Sequence, residues 1–144
     1  MKVVSEKFEQ FKPIPEQYTC KGKNVSVPLM FLEVPKDVLT YAIIVDDPDA
    51  PHGVFTHWVA WNIPVEPPGI LEGKPAPREG KNSYDVIGYK GPCPPPGETH
   101  RYFFRVFALD TILDLPQGSD KAALEQAMKG HILDQAELVG TFQR

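Results

Sequence analysis

The chain is short of several things, and each shortage removes a class of function. It has no long apolar run. The longest, residues 41–45 (YAIIV), is far below the roughly 20 residues that a helix needs to cross a bilayer. The opening MKVVSEKFEQF carries charge where a secretory leader would be apolar, so a cytoplasmic protein without a transmembrane segment is expected. Basic residues are few: 15 Lys and Arg against 19 Asp and Glu, a net charge of −4, with no Lys/Arg cluster. Nucleic acid is therefore not an expected partner. Cysteine is scarcer still. Cys20 and Cys93 lie 73 positions apart, outside any Cys-x-x-Cys pair, which argues against a zinc knuckle or a thioredoxin-type motif. In a cytosol two buried free thiols are expected. A disulfide closing that loop would add roughly 4 kcal/mol, and the intracellular proteins of hyperthermophiles do form them. There is no His-Glu-x-x-His, no Gly-x-Ser-x-Gly and no compact set of metal ligands, so no metal or cofactor is expected.

What is abundant is proline. Sixteen of the 144 residues are proline, about twice the usual frequency of roughly 5%. They cluster between apolar runs (13/15, 48/51, 64/67/68, 75/77, 92/94/95/96), which describes rigid turns joining short strands. With 42% hydrophobic and 24% charged residues the composition is that of a globular protein, read as one domain over residues 1–144.

Strand signals dominate. Residues 3–8 suit an edge strand, and 25–31 a strand interrupted by Pro28. Residues 41–46 form a nearly continuous apolar run, the mark of a strand covered on both faces. In 55–63 a period of two puts Phe55, His57, Val59 and Trp61 on one face; in 100–109 it puts His100, Tyr102, Phe104, Val106 and Ala108 together, opposite Arg101 and Arg105. Residues 64–97 read as a long loop, of the kind that carries function in a compact domain. Helix appears only late: Ser119 as N-cap, then KAALEQAMK up to Gly130, a second helical turn at 132–137, and a last strand at 138–142. The expected fold is an all-β dominated antiparallel β-sandwich with two short helices near the C-terminus.

Candidate chemistry falls in three segments. Asp47 and Asp49 sit in DPDAP, where Pro48 and Pro51 stiffen the turn; they can orient a ligand or an imidazole, or simply cap their own backbone. His57 lies on an apolar strand face, where a hydrogen-bonded core role is the plain alternative. In YKGPCPPPGETHRY (89–102), four prolines make a stiff wall and Gly91 could offer its amide to an anion. His100 and Tyr102, about 6.5–7 Å apart on one side of a strand, suit two donors gripping a tetrahedral anion, or are ordinary strand alternation. His52 is expected to be a solvated loop residue rimming this area, His131 a helix-end cap, and Arg101 and Arg105 partners of surface carboxylates.

Taken in order, DPDAP at 47–51, THW at 56–58, GPCPPPG at 91–97 and HRY at 100–102 resemble the phosphatidylethanolamine-binding protein family, which includes the Raf kinase inhibitor proteins. CKGKNVSVPL at 20–29, ALD at 108–110 and the closing GHILDQAELVGTFQR are similar to its shorter bacterial and archaeal branch. The resemblance implies a β-sandwich with a small pocket for phosphate, acetate or a phospholipid head group. By motif match it assigns Asp47, Asp49, His57, Gly91, Pro92, His100 and Tyr102 to ligand binding. It also implies a possible protein partner, a kinase or a protease, and apolar edges are compatible with a homodimer. Two departures stand out. Val27, Met30 and Phe31 occupy a stretch where relatives more often have a PPLSW-like run, which makes one flank more apolar, and the longer insertions and C-terminal helix of the eukaryotic proteins are missing. The expected function is binding of a small anion or head group, without catalysis; acid–base hydrolysis of a phosphate ester in the same pocket, with Cys93 as a conceivable nucleophile, is the alternative.

Overall fold

The computed structural model describes residues 1–144. Nine strands are present: β1 (Lys2–Val4), β2 (Lys12–Pro13), β3 (Leu29–Leu32), β4 (Thr40–Asp47), β5 (Phe55–Pro64), β6 (Gly69–Ile70), β7 (Arg78–Glu79), β8 (Thr99–Leu109) and β9 (Ile132–Gln143). One α-helix, α1, spans Lys121–Met128, and a 3-10 turn spans Glu16–Tyr18. A small sheet has the order β1-β3-β6 and a large one the order β2-β9-β8-β4-β5-β7. Pairing is antiparallel except for β2 beside β9.

Strand β4 explains the layering. Every one of its residues is buried, because one face meets the small sheet and the other meets the helix. Tyr41, Ile43 and Val45 join Trp58, Tyr102, Phe104 and Val106 against Val3, Leu29, Phe31 and Ile70. Ala42 and Ile44 join Val59, Trp61, Phe107 and Leu109 beneath Leu124 and Met128 of α1. Alternate residues of one strand thus feed two separate cores, as the two-residue period requires. Pro28 has no N–H for a ladder, and β3 begins directly after it.

At the second core's edge the alternation delivers an acid. Asp46 is buried and accepts hydrogen bonds from Thr56 Oγ1 at 2.8 Å, from Lys121 Nζ at 2.7 Å and from the Arg105 guanidinium. This carboxylate pins the start of α1 to the sheet.

Three expectations are corrected. Residues 132–137 are strand, not helix, so α1 is the one α-helix near the C-terminus; pairing of β9 with β8 along its length overrides the helix propensity of Ala, Glu and Gln. Asp120, not Ser119, caps α1, its carboxylate accepting the Ala123 amide at 2.9 Å. Cys20 and Cys93 are not free thiols but a disulfide with Cα atoms 5.4 Å apart, tying the segment after the 3-10 turn to the proline-rich loop.

Strand β5 carries the feature that places the site. Val45 pairs with Trp58 but Asp46 pairs with Thr56, so His57 is an extra residue at a β-bulge. The bulge breaks the strict alternation expected for 55–63. Val59 and Trp61 face the helix, whereas His57 packs edge-on against Tyr102, ring centroids 5.4 Å apart, on the side of the inter-sheet core.

Candidate functional site

Where β4, β5 and β8 end together, a cavity of about 300 Å³ opens between the DPDAP turn and the proline-rich loop. Its chemistry comes from Asp47, His57, His100 and Tyr102, with Phe55, Tyr84, Pro94 and Pro95 as apolar walls and His52 among the lining residues. Residues from three distant segments meet here because β4 lies between β5 and β8 in the sheet. A larger cavity of about 420 Å³ lies elsewhere, along the prolines from Pro64 to Pro77, with Glu66 and Lys74 as its charged residues.

His100 is buried, with Nδ1 2.6 Å from Asp47 Oδ2 and Nε2 2.9 Å from Glu98 Oε1. Carboxylates accept, so both ring nitrogens donate and the ring is an imidazolium. Burial works against that charge. The hydrogen bonds to Glu98 and Asp47 and their negative charge outweigh it, and the pKa is raised above the ordinary histidine value.

His57 is the opposite case. Burial pushes its pKa down, and the hydrogen bond to a backbone carbonyl only partly offsets this. Nδ1 lies 2.7 Å from the Lys90 carbonyl, which can only accept, so Nδ1 carries the proton. The ring is neutral, and Nε2 is left as its acceptor. The two histidines therefore differ in charge and in role.

Two buried hydroxyls in the molecule have no hydrogen-bond partner, those of Tyr41 and Tyr102. Only Tyr102 lines the cavity, its ring edge-on to His57. Burial, then the nearby Asp47 carboxylate, raises its pKa, so the phenol keeps its proton and stays a donor. An unsatisfied buried hydroxyl costs about 1–3 kcal/mol, a cost that a ligand accepting from it would remove.

The other sequence candidates lie elsewhere. Asp49 turns away and holds Arg101 through both oxygens, at 2.8 and 2.9 Å; that hydrogen-bonded pairing lowers its pKa. Gly91 does not offer its amide to the cavity: the N–H donates to Asn24 Oδ1 at 2.7 Å. A Cβ there would sit 2.0 Å from the Tyr18 carbonyl, so glycine is needed for close backbone packing. Pro92 is likewise buried against the 3-10 segment, its carbonyl accepting the Cys20 amide. Arg101 pairs with Asp49 as expected of a surface pair, while Arg105 reaches the buried Asp46. His131 is half-exposed beside Asp110 at 2.9 Å. Cys93 lines the cavity, but its sulfur is in the disulfide and is closed as a nucleophile.

Sequence reasoning misses two residues here: Tyr84, which lines the cavity, and Glu98, which is outside the lining and meets the site through His100. Glu98 had a usable signal: it stands two residues before His100, on the same side of an extended chain. Tyr84, in a long loop, had none.

The relatives agree with this architecture. The family model described as phosphatidylethanolamine-binding protein matches residues 4–143. A UPF0098 protein of Methanothermobacter thermautotrophicus is 46% identical, covering 100% of this chain and 99% of its own. One from Pyrococcus horikoshii is also 46% identical, covering 98% of this chain and 76% of its own. Among solved structures, a Chlamydia trachomatis protein described as a phosphatidylethanolamine-binding protein homologue superposes with a TM-score of 0.94 at 38% identity, covering 99% and 97% of the two chains. Escherichia coli YbcL, described as a member of the mammalian family, gives 0.90 at 25% identity, covering 99% and 98%. A model matched almost end to end, on a sandwich with this topology, settles the assignment: the chain belongs to the phosphatidylethanolamine-binding protein family.

Proposed function

We propose that this protein binds a small oxyanion, phosphate or the phosphate of a phospholipid head group, in the cavity between His57, His100 and Tyr102. The observation that carries the reading is the Tyr102 hydroxyl, buried, protonated and without a partner on the cavity wall. Beside it stand a protonated His100, whose Nε2–H meets the half-exposed Glu98 carboxylate, and a neutral His57 that can accept. A singly protonated phosphate answers both kinds of group. A zwitterionic head group does so too, with its ammonium toward Asp47 and His57 Nε2. The same pocket can receive an acidic or phosphorylated side chain of a protein partner, the route by which the chain would modulate a kinase or a protease.

Calorimetric titration with inorganic phosphate tests the reading. Tyr102→Phe is expected to weaken phosphate binding about tenfold or more, since a hydrogen bond to a charged group contributes roughly 1.5–3 kcal/mol. The same substitution removes an unsatisfied hydroxyl, so thermal stability should hold or rise. Undiminished affinity in that variant would contradict the assignment.

The pH dependence follows from His100. An anion prefers the imidazolium, so affinity persists through the ordinary histidine range and falls as pH climbs through the raised pKa of His100. Sulfate, which stays doubly charged throughout, is the probe that isolates the ring's titration. Sulfate binding that stays flat from pH 5.5 until nitrogen-15 shifts show the His100 ring deprotonated would remove His100 from the site.

A second reading, acid–base hydrolysis of a phosphate ester, draws on the 2.6 Å Asp47–His100 pair. Turnover of an aryl phosphate that disappears in His100→Gln would establish it.

A further inference from the structure

His100 has two N–H groups, and a carboxylate stands at each. At Nδ1 it is Asp47, which is buried and fixed: Oδ2 holds the ring while Oδ1 accepts the Asp49 amide at 2.8 Å. At Nε2 it is Glu98, which is different in kind. Half of its side-chain surface is exposed (52%), and the ring is its side chain's one hydrogen-bond partner. It follows Gly97, at φ +86° with open space around it, in the turn that feeds β8. Any external anion that reaches the imidazolium must therefore take Nε2, where a carboxylate already stands.

We propose that Glu98 is a built-in competitor, its carboxylate holding the anion position on His100 and yielding to solvent when an anionic ligand enters. This rests on the pocket being an oxyanion site, and it sets how tightly an anion must bind to enter. A carboxylate tethered to the same loop acts at an effective concentration on the order of millimolar. A lone external carboxylate offers His100 only what Glu98 offers already. A tetrahedral phosphate has oxygens left over for the unpaired Tyr102 hydroxyl, so it gains a contact that Glu98 does not make. The gate also keeps the imidazolium paired when no ligand is bound, which limits the cost of holding a buried charge ready. The ligand class that fits is a phosphate group able to reach Tyr102 and His100 together.

The test is calorimetric titration of Glu98→Ala and Glu98→Gln with inorganic phosphate and, separately, with acetate, at a pH where nitrogen-15 shifts show the His100 ring protonated in all three proteins, because Glu98 helps to hold that proton. Glu98 is exposed, so both variants should fold. Competition scales every ligand at Nε2 alike. Affinity for phosphate and for acetate is expected to rise by the same factor in Glu98→Ala, about fivefold to tenfold, with Glu98→Gln between it and the parent. Nitrogen-15 chemical shifts of the His100 ring should show Nε2 losing its partner in the alanine variant. If the phosphate gain were about twice the acetate gain on a logarithmic scale, a general charge effect would explain it and the competitor would be overturned. Unchanged or weaker binding in both variants, with the parent protein binding phosphate, would overturn the competitor and leave the oxyanion site standing. Absence of phosphate binding in all three proteins would overturn both.

Discussion

Reducing the Cys20–Cys93 bond, or replacing both cysteines by serine, is expected to lower the unfolding free energy by about 4 kcal/mol. The bond closes a loop of 73 positions, and cross-linking so long a segment removes much of the unfolded chain's freedom. For a chain of this size that is a fall in Tm of roughly 10–15 °C. The pocket itself should survive in the folded fraction, because other bonds fasten the same loop. The Cys20 amide donates to the Pro92 carbonyl, the Gly91 amide to Asn24, and His57 to the Lys90 carbonyl. Phosphate affinity measured well below the new Tm should therefore change by less than about twofold, well under 1 kcal/mol. Urea unfolding with and without a phosphine reductant is the measurement; coincident midpoints would mean that the bond contributes nothing to stability.

Asp46→Ala is expected to cost about 3 kcal/mol. Removing one partner from a buried ion cluster leaves the others uncompensated, which typically costs about 3–5 kcal/mol. The lower end applies here because Arg105 and Lys121 are 35% and 25% exposed and can turn to water. Thr56 also loses its acceptor, and α1 loses its first anchor to the sheet. Asp49→Ala is the contrast: its Arg101 partner is mostly in solvent, and a much smaller change follows. Denaturant unfolding of the two variants side by side decides the matter. Equal losses would mean that burial of Asp46 does not set its importance.

These magnitudes separate two acids, three positions apart, that a sequence presents as alike. DDPD places Asp46, Asp47 and Asp49 within four positions, yet each serves a different neighbour. Asp46 points to the helix side, Asp47 to His100 and Asp49 to Arg101. Strand alternation separates the first two, and that much follows from a period of two. The charged partners come from β8 and α1, more than fifty positions away, and no local pattern reports them.

The same division runs through the whole molecule. The sandwich, the doubly covered strand β4 and the meeting of DPDAP, His57 and HRY were legible in the chain, because hydrophobic periodicity and proline punctuation are local properties and the family motifs are stretches of sequence. The grouping of His57 with Val59 and Trp61 does not hold, since a bulge shifts the side-chain period by one and leaves no compositional trace. Residues 132–137 have local helix propensity but form strand, because pairing with β8 is not local. The disulfide, the withdrawal of Gly91 and Asp49 from the cavity, and Glu98 at His100 Nε2 were fixed only by folding. Each depends on which atoms come within about 3 Å across long stretches of chain, and backbone and side-chain placement in space sets that distance.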